Sequence, residues 1–132
     1  LRLGGMAART DTGGYYIEPT LFDGVDSSMT IAREEIFGPV LSTLTFRTTE
    51  EAFKIANDTI YGLASAIWTR DISVAMKAAR TIKAGSVWIN CFDAGDITTP
   101  FGGFKQSGFG RDKSLHALEK YTDFKSVWID LS

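Results

Sequence analysis

The sequence predicts an α/β fold, a parallel sheet of βαβ units covered by helices, and three observations point there. Short apolar, β-prone runs alternate with longer stretches whose apolar residues recur at helical intervals. Capping residues or glycines stand at the junctions. No Pro/Ser-rich linker, internal repeat or low-complexity tract divides the chain. Strands separated by helices of about three turns are the signature of right-handed βαβ units, which build such a sheet.

Tyr15 to Phe22 is β-prone around Pro19 and reads as an edge or irregular strand, since proline cannot donate to a ladder. Pro39 to Phe46 is the first firm strand. Thr48 and Glu51 have capping-box spacing, and Ala52, Ile55 and Ala56 follow at helical intervals until Gly62 supplies a stop. Leu63 to Thr69 is the next strand. Asp71 then caps a second helix with the apolar stripe Ile72, Ala75, Met76, Ala79 and Ile82, ending at Gly85. Ser86 to Asn90 is a strand, a Gly-rich loop runs to Arg111, and a helix is expected from about Lys113 to Tyr121. Lys125 to Leu131 closes the chain as a strand in which Ser126, Trp128 and Asp130 alternate with Val127, Ile129 and Leu131. Two unlike faces suit a sheet edge or an interface better than a doubly covered centre.

With 132 residues and 44% apolar content, one domain with a core is the starting expectation. A formal charge of -2, with both signs interspersed, gives no footprint for nucleic acid and no polybasic membrane signal. No apolar run approaches the ~18 to 20 residues of a membrane span, so a soluble protein is expected. Leu1-Arg2-Leu3-Gly4-Gly5 carries neither an initiator Met nor a signal peptide and reads as a chain entered in the middle. Cys91 is the only cysteine, which suits a reducing compartment.

Arg33-Glu34-Glu35-Ile36-Phe37-Gly38-Pro39-Val40 is a charged turn leading into an apolar strand. In an extended segment Glu35 and Phe37 share a face, so the carboxylate can accept hydrogen bonds from a sugar diol while the ring packs on an adjoining ring. The plainer alternative is a solvated charge run with a core phenylalanine. Asn90 to Phe101 follows a strand, and ligand sites in open α/β sheets lie beyond the carboxyl ends of strands. Asp93 and Asp96, separated by Ala94-Gly95, offer an anionic mouth for a cationic group, unless they only cap turns in a surface loop.

Cys91 directly follows an apolar strand with no His or basic residue beside it, so a buried, inert thiol is expected rather than a nucleophile. His116 is expected to face solvent. One His and one Cys are too few for a zinc site, and no metal is expected. Phe101 to Arg111 is glycine-rich but fits neither phosphate-binding pattern: Gly108-x-Gly110 lacks the third glycine, and Phe109 stands where a P-loop needs Lys. It also fails as an RNA-recognition strand, because Arg111 replaces the next aromatic. Backbone segments crossing too closely for side chains are the safer reading.

Three segments in order resemble one family, the NAD(P)-dependent aldehyde dehydrogenases. They are Glu34-Glu35-Ile36-Phe37-Gly38-Pro39-Val40, Ala56-Asn57-Asp58-Thr59-Ile60-Tyr61-Gly62-Leu63, and Trp88-Ile89-Asn90 running on to Pro100-Phe101-Gly102-Gly103-Phe104-Lys105-Gln106-Ser107-Gly108-Phe109-Gly110-Arg111. The likeness covers the chain from Gly14 to the terminal strand. It implies that Glu35 holds the hydroxyls of the nicotinamide ribose of NAD or NADP and that Phe37 borders the nicotinamide. It implies also that Cys91 to Phe101 lines or rims the aldehyde tunnel, with Phe101 an aromatic wall near the reacting carbon. In that family a thiolate attacks the aldehyde, hydride leaves to the nicotinamide, and a Glu-activated water releases the acid. The resemblance places both the nucleophilic Cys and that Glu upstream of Leu1, so it implies no catalytic residue in this chain and no activity for it alone.

On the same resemblance, residues 1-121 form the C-terminal part of the catalytic domain, and residues 122-132 an oligomerisation strand buried between subunits of a homo-oligomer. Asp93-Ala94-Gly95-Asp96 and Gly110 to Lys120 are most similar to bacterial dehydrogenases of γ-glutamyl-aminobutyraldehyde and related aminoaldehydes. Gly95 stands where simple-aldehyde enzymes often carry a bulky aromatic, which would open the mouth while Asp93 and Asp96 attract a substrate ammonium. The expectation is a cytoplasmic oxidoreductase whose partners are an aldehyde and the missing N-terminal part. The rival is a stand-alone interaction or ligand-binding module that keeps the fold without catalysis.

Overall fold

A computed structural model describes residues 1–132, which separate into two compact units, Leu1–Thr59 and Ile60–Ser132. Each contains one parallel strand pair, as the alternation of strands and helices predicts.

In the first unit, Pro19 cuts the β-prone run from Tyr15 to Phe22 in two, because it brings no N–H to a ladder. β1 (Ala7–Ala8) pairs antiparallel with β2 (Tyr16–Ile17). β3 (Thr20–Phe22) pairs parallel with β4 (Val40–Ser42) in the register Thr20↔Val40, Leu21↔Leu41, Phe22↔Ser42. A single-turn helix, α1 (Thr30–Arg33), occupies the crossover just before the charged turn and was not anticipated from the sequence. Thr20 is buried with its hydroxyl satisfied twice: Oγ1 accepts from the Gly5 N–H at 2.9 Å and donates to the Glu18 carbonyl at 2.7 Å.

α2 (Thr49–Asn57) starts where the capping spacing puts it, the Thr48 Oγ1 accepting from the Glu51 N–H at 3.2 Å. The return contact slips by one residue, since the Glu51 carboxylate takes the Arg47 N–H at 2.7 Å rather than that of Thr48. The helix stops at Asn57, well short of Gly62, because the Asp58 N–H turns back to the Ile55 carbonyl. Phe53 is its buried residue.

In the second unit β5 (Ala64–Ile67), α3 (Ile72–Thr81) and β6 (Ser86–Ile89) form a βαβ unit, its strands parallel from Ala64↔Ser86 to Ile67↔Ile89. The Asp71 carboxylate caps α3 by accepting from Ser73 N–H at 2.7 Å and Val74 N–H at 3.4 Å. Ala75 and Ala78 face inward, while Ile72, Met76 and Ala79 of the expected stripe are exposed. The apolar arc of α3 is wider than the layer that covers it, and the small residues occupy the covered side.

The glycine-rich segment folds back across the start of this unit. The Gly62 carbonyl accepts from both Gly85 N–H at 3.0 Å and Phe104 N–H at 2.8 Å, and the Gly62 N–H donates to the Ser107 hydroxyl at 2.9 Å. A Cβ on Gly85 would lie 1.6 Å from the Gly102 carbonyl oxygen, so the expected close crossing is real and excludes a side chain there.

Two expected elements differ. The helix over Lys113 to Tyr121 is instead a 3₁₀ segment, Leu115–Tyr121. Lys113 and Ser114 enter it with φ of 57° and 52°, and Leu115 and Leu118 pack on nothing that would stabilise an α-helical face. Lys125 to Leu131 is not a strand within this chain: it has no paired neighbour, and Val127, Trp128, Ile129 and Leu131 are exposed. A ladder needs a second edge, and none of the six strands supplies one.

Candidate functional site

β6 gives way at Asn90, which adopts φ of 56° and bonds across to the chain leaving the neighbouring strand β5: its side chain accepts from the Thr69 N–H and donates to the Thr69 carbonyl, both at 2.9 Å. The loop beyond is pinned from below by Trp88, whose indole N–H donates to the Ala94 carbonyl at 2.7 Å while its ring lies 5.4 Å from that of Phe92. Farther on, Phe101 and Asp112 exchange backbone hydrogen bonds of 2.9 and 2.7 Å, closing the loop into a lobe. Between lobe and strand is a cleft of about 530 Å³ that runs alongside β6, lined there by Gly85, Ser86, Val87 and Trp88.

Asp93, Gly95 and Phe101 all line this cleft. Asp93 holds φ of 53°, and its carboxylate makes no hydrogen bond or ion pair within the chain. A Cβ built on Gly95 would meet nothing within 4 Å, so the absent side chain leaves open space rather than permitting a close contact. Asp96 stands apart from the lining. Its Oδ1 accepts from the Thr98 hydroxyl at 2.6 Å and the Thr98 N–H at 2.7 Å. These bonds, the hydroxyl's first, outweigh desolvation and hold its carboxyl below the usual aspartate range, with the Lys113 charge adding in the same direction. Asp96 is thus an anion engaged in its own turn, whereas Asp93 is an anion presented to the cleft.

Lys113 was not singled out in the sequence and also lines the cleft, its Nζ 5.7 Å from the centre of the Phe101 ring. Its one legible sign was a basic residue two positions beyond the glycine run.

Glu35 and Phe37 belong to the first unit, in the segment joining α1 to β4. That segment is not plainly extended. The Gly38 N–H donates to the Ile36 carbonyl and the Val40 N–H to the Gly38 carbonyl, each at 2.8 Å, making two consecutive three-residue turns centred on Phe37 and Pro39. The first thrusts the Phe37 ring outward, 97% exposed, which removes the reading of a core phenylalanine. The Glu35 carboxylate is exposed and takes no partner in the chain. A free carboxylate two residues from a bare aromatic ring supplies an acceptor that fits a ribose diol and an apolar face that fits a flat heterocycle.

Cys91 is exposed, contrary to the expected buried thiol, because Asn90 reverses the chain and β6 ends before it. His116 faces solvent as expected, its Nδ1 3.2 Å from the Glu119 carboxylate.

Residues 1–127 match the sequence profile of the aldehyde dehydrogenase family, and the chain belongs to that family. It is 56% identical over 115 residues to the NADP/NAD-dependent aldehyde dehydrogenase PuuC of Escherichia coli (strain K12), which covers 87% of this chain and 23% of that protein. The P. syringae indole-3-acetaldehyde dehydrogenase AldA, solved with NAD+ and IAA, is 64% identical with a TM-score of 0.91, over 98% of this chain and 26% of that one. The γ-glutamyl-γ-aminobutyraldehyde dehydrogenase of Burkholderia cenocepacia J2315 is 57% identical with a TM-score of 0.88, over 92% of this chain and 24% of that one. The chain spans about a quarter of the length of these relatives.

Proposed function

We propose that this chain is part of the catalytic domain of an NAD(P)-dependent aldehyde dehydrogenase that oxidises an aldehyde with an ammonium-bearing tail to its carboxylic acid. Family membership supports the reaction, and the unpaired Asp93 carboxylate beside Gly95 and Phe101 in one cleft supports the substrate class. Asp93 meets the ammonium, Asp96 adds negative potential at the mouth, Gly95 leaves the entrance wide, and Phe101 forms an apolar wall. Glu35 holds the ribose hydroxyls of NAD or NADP, and Phe37 borders the nicotinamide. When bound, that ring supplies the hydride acceptor.

The nucleophilic thiolate and the general base come from the rest of the protein, so the chain alone turns over no aldehyde. Cys91 makes no hydrogen bond or ion pair with a basic group or histidine that would activate it as a nucleophile. Residues 1–121 serve the catalytic domain, and residues 122–132 become a strand when they pair with another subunit of a homo-oligomer. The enzyme works in the cytoplasm; no helix of the chain is long and apolar enough to cross a membrane.

Steady-state kinetics on the full-length protein test the substrate class. Asp93→Asn should lower kcat/KM for an aminoaldehyde, relative to a neutral aldehyde of equal length, by about tenfold, the loss expected for a hydrogen bond between charged groups. Asp96→Asn should change the same ratio by only about twofold, because its carboxylate acts at a distance through solvent. An unchanged ratio in the Asp93 variant would remove the aminoaldehyde assignment.

A further inference from the structure

Residues 91–95 separate Asn90, where β6 gives way, from Asp96, which starts a turn of its own with Thr98. They make no backbone–backbone hydrogen bond, and neither the Cys91 nor the Asp93 side chain bonds to the rest of the chain. A stretch with no ladder takes its course from whatever side chains reach it. Two specific contacts do so, and both come from Trp88. Its indole N–H donates to the Ala94 carbonyl at 2.7 Å, and its ring lies 5.4 Å from the Phe92 ring, tilted by 58°. Phe92 precedes Asp93 and Ala94 follows it, so the two contacts bracket Asp93.

Trp88 is well placed to fix them, because it lies within β6 and is held in parallel register opposite Ala66 of β5. The bond to Ala94 sets the plane of the peptide that leads into Gly95, and Asp93, Ala94 and Gly95 all line the cleft together with Trp88. Asp93 stands on left-handed backbone, φ of 53°, a conformation that aspartate tolerates but that its surroundings must select. No hydrogen bond or ion pair holds the carboxylate itself. Its direction is therefore the direction of the bracketed backbone.

We infer that Trp88 is a positioning residue: its indole N–H sets how Asp93 and Gly95 are presented to the cleft, and so how sharply the cleft distinguishes one aldehyde tail from another. It acts on the substrate through the loop. This role rests on the aminoaldehyde reading above and names the residue that enforces it.

Trp88→Phe in the full-length protein keeps a ring against Phe92 and removes the donor. The preference for an aminoaldehyde over a neutral aldehyde of equal length should fall about fivefold in kcat/KM, the loss expected for one neutral hydrogen bond, and the fall should lie in KM for the aminoaldehyde. In an Asp93→Asn background the same substitution should change the ratio no further, because the carboxylate being positioned is already gone. A tryptophan that only stabilises the fold would act alike in both backgrounds. An undiminished preference in Trp88→Phe, or an equal further fall in the Asp93→Asn background, would overturn the inference. Trp88→Tyr, which also lacks the indole N–H, replaces the phenylalanine variant if that one does not fold.

A second measurement needs no turnover. In tryptophan-labelled full-length protein, the Trp88 indole proton, identified by its absence from the variant, should exchange with solvent at least about tenfold more slowly than that of free tryptophan. Exchange as fast as the free indole would overturn the inference whatever the reaction. Slow exchange in a wild type that shows no preference for the aminoaldehyde would remove the substrate reading and leave the loop pinned by Trp88.

Discussion

Gly85 and Gly95 show how differently two glycines in one unit can matter. Gly85 has no room for a Cβ, which would fall 1.6 Å from the Gly102 carbonyl oxygen, and both clashing atoms are backbone. Gly85→Ala in the full-length protein should therefore cost about 3 kcal/mol, seen as a lower melting temperature or loss of folded yield. Gly95 meets nothing, so Gly95→Phe should leave the melting temperature in place while cutting kcat/KM for a bulky aldehyde about tenfold relative to a short one, a rough estimate for steric exclusion worth one decade. Asp96 makes a third, electrostatic prediction. Its folded pKa is depressed, so the stability it gives is present above the unfolded value and is lost as pH falls through the folded one. Thr98→Val removes the first of the two bonds responsible and should raise that carboxyl toward its ordinary range in an NMR titration, and an unmoved value would show the hydroxyl to be idle.

At the scale of elements, what could be read from sequence was whatever depends on near neighbours. Asp71 and Thr48 cap the helices they were expected to cap, because the spacing from a side-chain oxygen to an N–H two or three residues on is local. Asp71→Ala should cost about 1 kcal/mol in chemical denaturation, the usual value for such a cap. The parallel pairings followed from the alternation of strands and helices. Elements that rely on distant or absent surfaces were not legible. The covered side of α3 is set by what lies against it, which the periodicity of Ile72, Met76 and Ala79 does not reveal. The segment from Lys113 to Tyr121 has the pattern of a helix but lacks the packing that would hold one. In the candidate site, Asp93, Gly95 and Phe101 were found through their position after a strand and a family resemblance. Lys113 was missed because the backbone pair that carries it back to the cleft joins Phe101 to Asp112 across the loop.

Large apolar side chains are exposed in both units, among them Tyr15, Phe37, Phe109, Phe124 and Trp128, each almost fully bare. Exposed apolar side chains of this size are the surface that the proposed packing against the rest of a full-length protein would cover. For the terminal segment this becomes a test of assembly: Trp128→Asp in the full-length protein should shift it to a smaller oligomer in light scattering, since a charge would sit in the strand's pairing face. The dehydrogenase reading itself turns most directly on whether Glu35 touches the cofactor. Calorimetric titration of the full-length protein with NAD+ and with NADP+, before and after Glu35→Gln, measures that contact. The predicted result is a Kd weakened about tenfold for whichever cofactor the protein binds, in a variant that still melts like the wild type. An unchanged Kd for both cofactors would contradict it.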